Sequence, residues 1–531
     1  MRPARHPSTC RRGRAARPRK EHVASSAADG SSPARLDPLT THDPDKRKPA
    51  DTLTAVAIVA LACMYLLVRW LRMLSLGGGF DSTLLGNVLW RLANGLNSQT
   101  ALTGGHYVST HASPILALFV PIFRASPELG MPMVFAAQTA SVALVGWAGY
   151  LVGGHKGLTV STRRWLLAAL FASPAAWLAT QHQVNETTLG IGPLAMAMAL
   201  SLRGDRLRRL VPWAILAASC RMEMAAAVLV AGMVVWSFGR PRQGRTMVLM
   251  SVAFLAGYVS WLFLNPYETE SLAAHFAHLG STPTEVVAAI VARPWAVVEP
   301  IFSRTLIAPI MLWLLPFGLV APLFRPRWLT VALPTAAVAI LGVWPAADNP
   351  IAHYWYAFLA AGAMATPIAI SANEWLRSRL RVLLVAGVML GWVIISPLYS
   401  FFVPAFTLDS SDRSLAQTIG DLGPGFVSAP GALSFWLIDR PLLALFPRPF
   451  RCDEEAIGPY RAPDIPPEVI IMPNDALDLL DDETSSRLDA LLASYERVAR
   501  SENYEAWQVV DADRAAIDYV PCSSSTFTPS V

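Results

Sequence analysis

The sequence predicts an all-α polytopic membrane protein that carries a small α/β domain at its C-terminal end. Apolar runs of about 18 residues or more, each enough to cross a hydrocarbon core about 30 Å thick, recur between residues 53 and 402. The chain is 53% hydrophobic and only 15% charged, where a soluble chain is nearer a quarter charged. Past residue 402 the apolar runs shorten and charge rises. A β-barrel would show short alternating segments instead. The net charge of +5 does not point to nucleic acid. Its basic residues sit in short loops between apolar runs, where they report topology.

Residues 1–50 are rich in Arg, Pro, Ser and Ala and have no apolar periodicity, which predicts a disordered, basic cytoplasmic tail. No short apolar core of a cleaved signal peptide lies near the start. The transmembrane domain is expected over 51–402, with an external loop at 76–130. Its first span, Leu53–Leu74, runs outward; Arg69 and Arg72 near its outer end oppose the charge trend and are read as snorkelling to the headgroups. Residues Ile115–Phe123 are too short to span and suit an interfacial helix.

Met131–Val152 then leads inward to His155, Lys156, Arg163 and Arg164. Trp165–Thr180 goes out and Thr187–Leu202 returns to Arg203, Arg206, Arg208 and Arg209. Leu210–Trp236 is broken by Arg221-Met222-Glu223 and flanked at both ends by basic loops, so it is read as a hairpin of two short helices. Met247–Leu264, Leu306–Phe324, Trp328–Trp344, Tyr354–Ile370 and Val382–Phe402 complete about eleven spans, with the N-terminus inside and the C-terminus outside. Residues 403–531 are expected to form an extracytoplasmic α/β domain. Its strands are placed near Phe426–Ser428, Val469–Met472 and Trp507–Val510, and its helices over Ser411–Leu422 and Glu483–Arg500. Cys452 and Cys522 share that tail, where export would permit a disulfide.

This topology puts Asp81, His106, His111, His182, Glu186, Arg221, Glu223 and His353 on the outer side. Ionisable residues beside membrane helices are costly and mark sites. The stretch Gly77–Pro114 is read as a lid and part of that site. Each residue also has a plainer role open to it. Asp81 and Glu186 stand where helix caps stand, and Arg221 and Glu223 are spaced to pair with each other. His106 and His111 suit an ordinary loop, and His353 a boundary belt of aromatics. Against these, the guanidinium fork of Arg221 matches phosphate oxygens. The histidine spacings fit no standard zinc motif, and a divalent metal is left open. P-loop, HExxH, GxSxG and CxxC motifs are absent from the sequence.

The stretches FDSTLLGNVLW, HASPIL, the Asn185-Glu186 pair, RMEMA and AHYWYAF together resemble a bacterial family of multi-pass proteins known as a domain of unknown function. In that family the first motif reads YD…F-x-Q-x-x-W, the second H-x-SP and the third Lys/Arg-Glu-Asp. The resemblance covers roughly residues 75–450. Asn87 stands where the family often has Gln, and Met224 where it often has an acid; Asp81, His111, Glu186, Arg221 and Glu223 are all present.

The family in turn resembles GT-C glycosyltransferases, which share a long first external loop with an acid just after the first span. The resemblance implies transfer of a sugar from a polyprenyl-phosphate carrier to a cell-envelope acceptor hydroxyl, on the outer face of the plasma membrane. It implies Asp81 as base or metal ligand, His111 and Glu186 as catalytic helpers, and Arg221 as the phosphate ligand. Glu223, His106, His182 and His353 would support them. Two other readings compete. A transporter or flippase for lipid or small solutes suits the broken Leu210–Trp236 segment, although no second broken segment matches it. A non-catalytic envelope scaffold would use the C-terminal domain to hold a partner.

Overall fold

The first apolar run forms one helix of 28 residues, Pro49–Leu76. After its opening Pro it holds no helix breaker until Gly77, and Asp51 in its first turn complements the positive helix end. Leu53, Val56, Val59, Leu67 and Leu71 on its surface are exposed, as a lipid-facing side requires. The structure is a computed structural model that describes residues 49–402 except 343–352, residue 182 and parts of 77–110 and 265–306; beyond them it describes most of 410–510 and residues 526–527. The basic tail up to residue 48, His182, Cys452 and Cys522 lie outside the described residues.

Four described helices are long and apolar enough to cross a bilayer: Asp51–Leu71, Pro127–His155, His353–Ala372 and Glu374–Ile395. About eleven were expected. Several of the expected spans are interrupted, two of them where proline removes a backbone donor and clashes with the preceding turn. The expected span at 165–180 is cut at Ser173–Pro174 into Val160–Ala172 and Pro174–Gln181. The stretch 306–344 is cut near Pro316, Gly318, Pro322 and Pro326 into Ile307–Leu314, Val320–Leu323, Pro326–Leu329 and Leu333–Leu341. Leu210–Trp236 divides at Arg221 into Leu207–Ala218 and Met222–Ser237. Residues 114–125 form a short 3-10 turn, Pro114–Leu118, and the helix Val120–Ala125.

Pro127–His155 is the central post. It packs against Glu186–Arg203, Ala357–Ala372, Val160–Ala172 and Pro49–Leu76. Its contact with Glu186–Arg203 is close enough to need glycine: a Cβ on Gly192 would lie 2.3 Å from the Ser141 carbonyl oxygen. Ser141 Oγ donates to the Leu189 carbonyl at 3.1 Å and accepts from Gly192 N–H at 2.8 Å. Small residues that let helix backbones approach are a usual device of membrane helix pairs.

Two strands of the first loop, β1 (Gln99–Thr100) and β2 (Gly105–His106), pair antiparallel. The C-terminal part contains β3 (Val427–Ala429), β4 (Leu443–Leu445), β5 (Ala462–Pro463), β6 (Val469–Pro473), β7 (Tyr495–Arg500), β8 (Tyr504–Val509) and β9 (Thr526–Phe527). Five of these form a mixed sheet in the order β4-β3-β6-β8-β7, and β5 pairs with β9. The helix expected over Glu483–Arg500 stops at Leu492, and residues 495–500 form β7 instead. The chain turns back at Ser501–Asn503, and β7 gains an antiparallel ladder with β8, with a bulge between Arg497 and Ala499. That ladder outweighs the helical preference of the segment.

The sheet packs on the membrane domain without a break in the core. Leu415, Ile419, Val427, Leu433, Leu443 and Ile471 belong to the same buried apolar cluster as the transmembrane helices. The helix Gly79–Ala93 lies between the two parts, and residues 82–89 are buried throughout. Asn87 joins them: its Nδ2 donates to the Arg440 carbonyl at 2.8 Å, and its Oδ1 accepts from Thr100 Oγ1 at 3.1 Å.

Gly192→Ala is expected to lower the unfolding free energy by ~1–3 kcal/mol, the usual cost of overpacking, read as a drop in melting temperature in detergent. Gly257, whose Cβ would meet nothing within 4 Å, is the control: Gly257→Ala is expected to be neutral or to stabilise by up to ~1 kcal/mol.

Candidate active site

The helix Gly79–Ala93 begins directly after a glycine run, and Asp81 falls in its first turn. It is the third helical residue, not the cap before Ser82, so a purely capping role does not describe it. Two hydrogen bonds staple this helix start to the connection that follows Gln181. Asp81 N–H donates to Gln183 Oε1 at 2.5 Å, and Val184 N–H donates to Ser82 Oγ at 3.0 Å.

The other end of that connection is held by the membrane helices. Gln138 Nε2 donates to the Ala179 carbonyl at 2.7 Å and Gln181 Nε2 to the Tyr65 carbonyl at 2.9 Å. Arg69 donates to the Gln181 carbonyl and lies over the Phe135 ring, 4.6 Å from its centroid. Arg69 is buried. It therefore turns into the protein and does not snorkel to the headgroups, which corrects the reading of its position in the sequence.

Glu186 opens the helix Glu186–Arg203, but the cap belongs to Asn185, whose side chain accepts from Thr187 N–H at 2.8 Å. The carboxylate of Glu186 turns back only onto its own backbone N–H. Its Oε1 accepts from the hydroxyl of Tyr107. His111 stacks on the Tyr107 ring at 4.5 Å with the planes 7° apart, and its N–H donates to the Tyr107 carbonyl at 2.9 Å. His111 is thereby coupled to Glu186 through one buried tyrosine.

Arg221 sits at the break between two short helices, in extended conformation just before Met222. Its guanidinium holds Glu223 along one edge, Nη2 to Oε1 at 2.9 Å and Nε to Oε2 at 3.2 Å. Both side chains are buried. The remaining corner, Nη1, lies 2.9 Å from His353 Nε2. His353 opens the turn His353–Trp355 and packs on Tyr354 at 4.0 Å; that tyrosine ring lies 5.9 Å from the Arg221 guanidinium. The HASP loop reaches the same break, since Ile115 N–H donates to the Ser219 carbonyl at 3.0 Å.

Asp81, Glu186 and Glu223 all lie within electrostatic reach of Arg221. The cluster therefore holds three carboxyl groups around one guanidinium. Burial pushes the Asp81 carboxyl up to about 6, with the Arg221 charge pulling it back down. A carboxylate tuned toward neutrality is suited to accept a proton.

The structure thus gathers Asp81, His111, Glu186, Arg221, Glu223 and His353 at one end of the membrane domain. His106 pairs through its backbone in β2, and its side chain lies outside the description, as does all of His182. Among the described residues, no three His, Cys, Asp or Glu side chains come together to hold a metal ion. Reading the sequence missed Tyr107, Gln183 and Tyr354, whose roles depend on contacts across the fold. Arg69 did carry a signal, a cation on the wrong side of the charge pattern.

Residues 72–417 match the model of a family described as a predicted membrane protein, domain of unknown function 2079. The chain belongs to this family. A comparison with curated proteins finds no match. Among solved structures, the fold is similar to that of ArnT from Cupriavidus metallidurans bound to undecaprenyl phosphate. The TM-score is 0.50 at 15% identity, covering 87% of this chain and 99% of that one. The apo form of the same protein aligns at a TM-score of 0.41 and 13% identity, over 86% of this chain and 98% of that one. At this identity the likeness is one of fold alone: this member of a membrane-protein family has an ArnT-like fold.

Isotope-edited infrared titration of the Asp81 carboxyl is expected to show a protonation midpoint near pH 6. Arg221⁺ favours the carboxylate, so Arg221→Gln is expected to move that midpoint upward. A midpoint that stays put would show that the two groups do not sense each other.

Proposed function

We propose that the protein is a GT-C-type glycosyltransferase acting on the extracytoplasmic face. It would move a sugar from a polyprenyl-phosphate carrier to an acceptor hydroxyl. The observation that carries this reading is the convergence of Asp81, Glu186 and the Arg221–Glu223–His353 group at one end of the membrane domain. The likeness of fold to a protein solved with undecaprenyl phosphate supports it.

The acceptor oxygen attacks the anomeric carbon as the bond from that carbon to the phosphate oxygen breaks. The carrier phosphate leaves with the electron pair. Asp81 in its carboxylate form takes the proton of the attacking hydroxyl. Arg221 faces the charge that develops on the phosphate, where a fixed cation in a site away from water acts most strongly. Glu223 holds the guanidinium in place, and His353 occupies the corner that a phosphate oxygen would share or take over. Tyr107 and His111 fix the Glu186 carboxylate, which would orient the acceptor. The extracytoplasmic side, the roughly eleven spans and the external placing of residues 403–531 belong to the same proposal. They follow from the apolar runs and from the charge pattern of the loops between them.

Purified protein in proteoliposomes, given a panel of polyprenyl-phosphate-linked hexoses and pentoses, tests the reading by release of free polyprenyl phosphate. Asp81→Asn is expected to lower that rate by about 10²-fold or more, with unchanged membrane insertion and melting temperature. Full activity of a well-folded Asp81→Asn protein would remove the base from the mechanism.

A further inference from the structure

Two helices that begin at the candidate site, Glu186–Arg203 and Met222–Ser237, end beside a second cluster, made of cations. Pro127–His155 runs out into Lys156, Glu186–Arg203 into Gly204, and Met222–Ser237 into Arg240; Arg325 stands just before Pro326–Leu329. Two contacts draw these ends together. A Cβ on Gly204, which has φ +75°, would lie 2.9 Å from Arg240 Nη1, so the guanidinium rests against that helix end. The Phe238 and Trp328 rings meet at 5.1 Å, which sets the turn carrying Arg240 against the turn carrying Arg325.

Carboxylates do not balance this group. The one acid that acts on His155, Asp205, lies 3.4 Å from Arg203 and 3.4 Å from Arg209, and although its Oδ2 also lacks a hydrogen-bond partner, one carboxylate is outnumbered by these cations. Among the described residues, no ion pair joins Lys156, Arg240 or Arg325 to an acid. Arg240 Nε, Arg325 Nε and His155 Nε2 are buried without a hydrogen-bond partner. Burial and the charges of Arg240 and Arg325 hold the Lys156 ammonium below its usual range.

A topology signal alone does not require this arrangement. Arg206, Arg208, Arg209, Arg242 and Arg327 on the same face are exposed, as residues that only mark a side can be. Lys156, Arg240 and Arg325 are instead half-buried and bear like charges on one another. Buried polar groups without partners, and unpaired charges, are costly. An anion with several oxygen acceptors would satisfy the idle N–H groups and the repulsion together, and phosphate matches the guanidinium fork.

We propose that Lys156, Arg240 and Arg325, with His155 beside them, bind an anionic phosphate group at the end of the membrane domain remote from Asp81. The ligand chemistry is shared by an anionic lipid headgroup and by a soluble phosphate. The site is independent of the sugar-transfer reading.

Full-length protein in nanodiscs tests it through melting temperature and bound-lipid mass spectrometry. Phosphatidylglycerol is expected to raise the melting temperature above that in phosphatidylcholine and to be retained by the released protein. A rise produced in phosphatidylcholine by millimolar inorganic phosphate assigns the site to a soluble phosphate instead. No response of the wild type to either probe would overturn the proposal.

Arg240→Gln combined with Arg325→Gln is expected to weaken the effective probe by roughly tenfold or more, on the scale of one lost charge-assisted contact. Arg206→Gln with Arg208→Gln should leave it unchanged. Equal loss in both pairs would show diffuse surface charge and defeat the site. If the first pair does not fold, Lys156→Met carries the same expectation, and the wild-type responses decide independently.

Discussion

The buried guanidinium of Arg221 is the constraint to which the rest of the site answers. An ion removed from water costs several kcal/mol even after relaxation, and this one is met by Glu223 along one edge and by His353 at the remaining corner. Such bonding needs an interrupted helix. In a continuous helix, residues two apart point to different sides, whereas the extended backbone at Arg221 lets its side chain meet Glu223 in the first turn beyond. The break and the pair therefore require each other. Asp81 and Glu186 feel the same cation, which leaves the cluster rich in acid. One proton on Asp81 would relieve that excess.

Much of this was legible in the chain, and the legible part has a common cause. Apolar runs, basic loops and a charged interruption such as Arg221-Met222-Glu223 are local signals, and bilayer physics amplifies them. The polar residues just outside the runs marked Asp81, Glu186 and His353 for the same reason. The lengths of the individual helices were less legible, because proline at 174, 316, 322 and 326 cuts apolar windows that composition alone would join. Tyr107 gave no local signal at all. It is one aromatic in a polar loop, and it matters because the fold places its hydroxyl on Glu186, 79 positions away. The strand at 495–500 was hidden likewise, since its partner lies across a turn at Ser501–Asn503.

The helices also work as struts. At 1.5 Å per residue, the 18 residues of Glu186–Arg203 hold its two ends about 27 Å apart. Pro127–His155 locks to it at Gly192 through contacts that leave no room for a methyl group. Glu186 at one end and Gly204 at the other are thus parts of one rigid body. The acidic and basic clusters inherit a fixed separation and do not shift independently.

The first loop reads differently once its neighbours are known. An amphipathic helix after a glycine run suggests a lid that swings, but residues 82–89 are covered on every side. Asn87 ties the helix to the C-terminal sheet and to Thr100, while Asp81 and Ser82 tie its start to Gln183 and Val184. Arg91, fully buried, binds the Asn97 carbonyl and side chain at 3.2 Å and closes the turn that follows. A helix held at both ends and along its length positions Asp81; it does not uncover it. Motion that admits a substrate would have to come from some other part of the chain, and the acid would wait in a place already set.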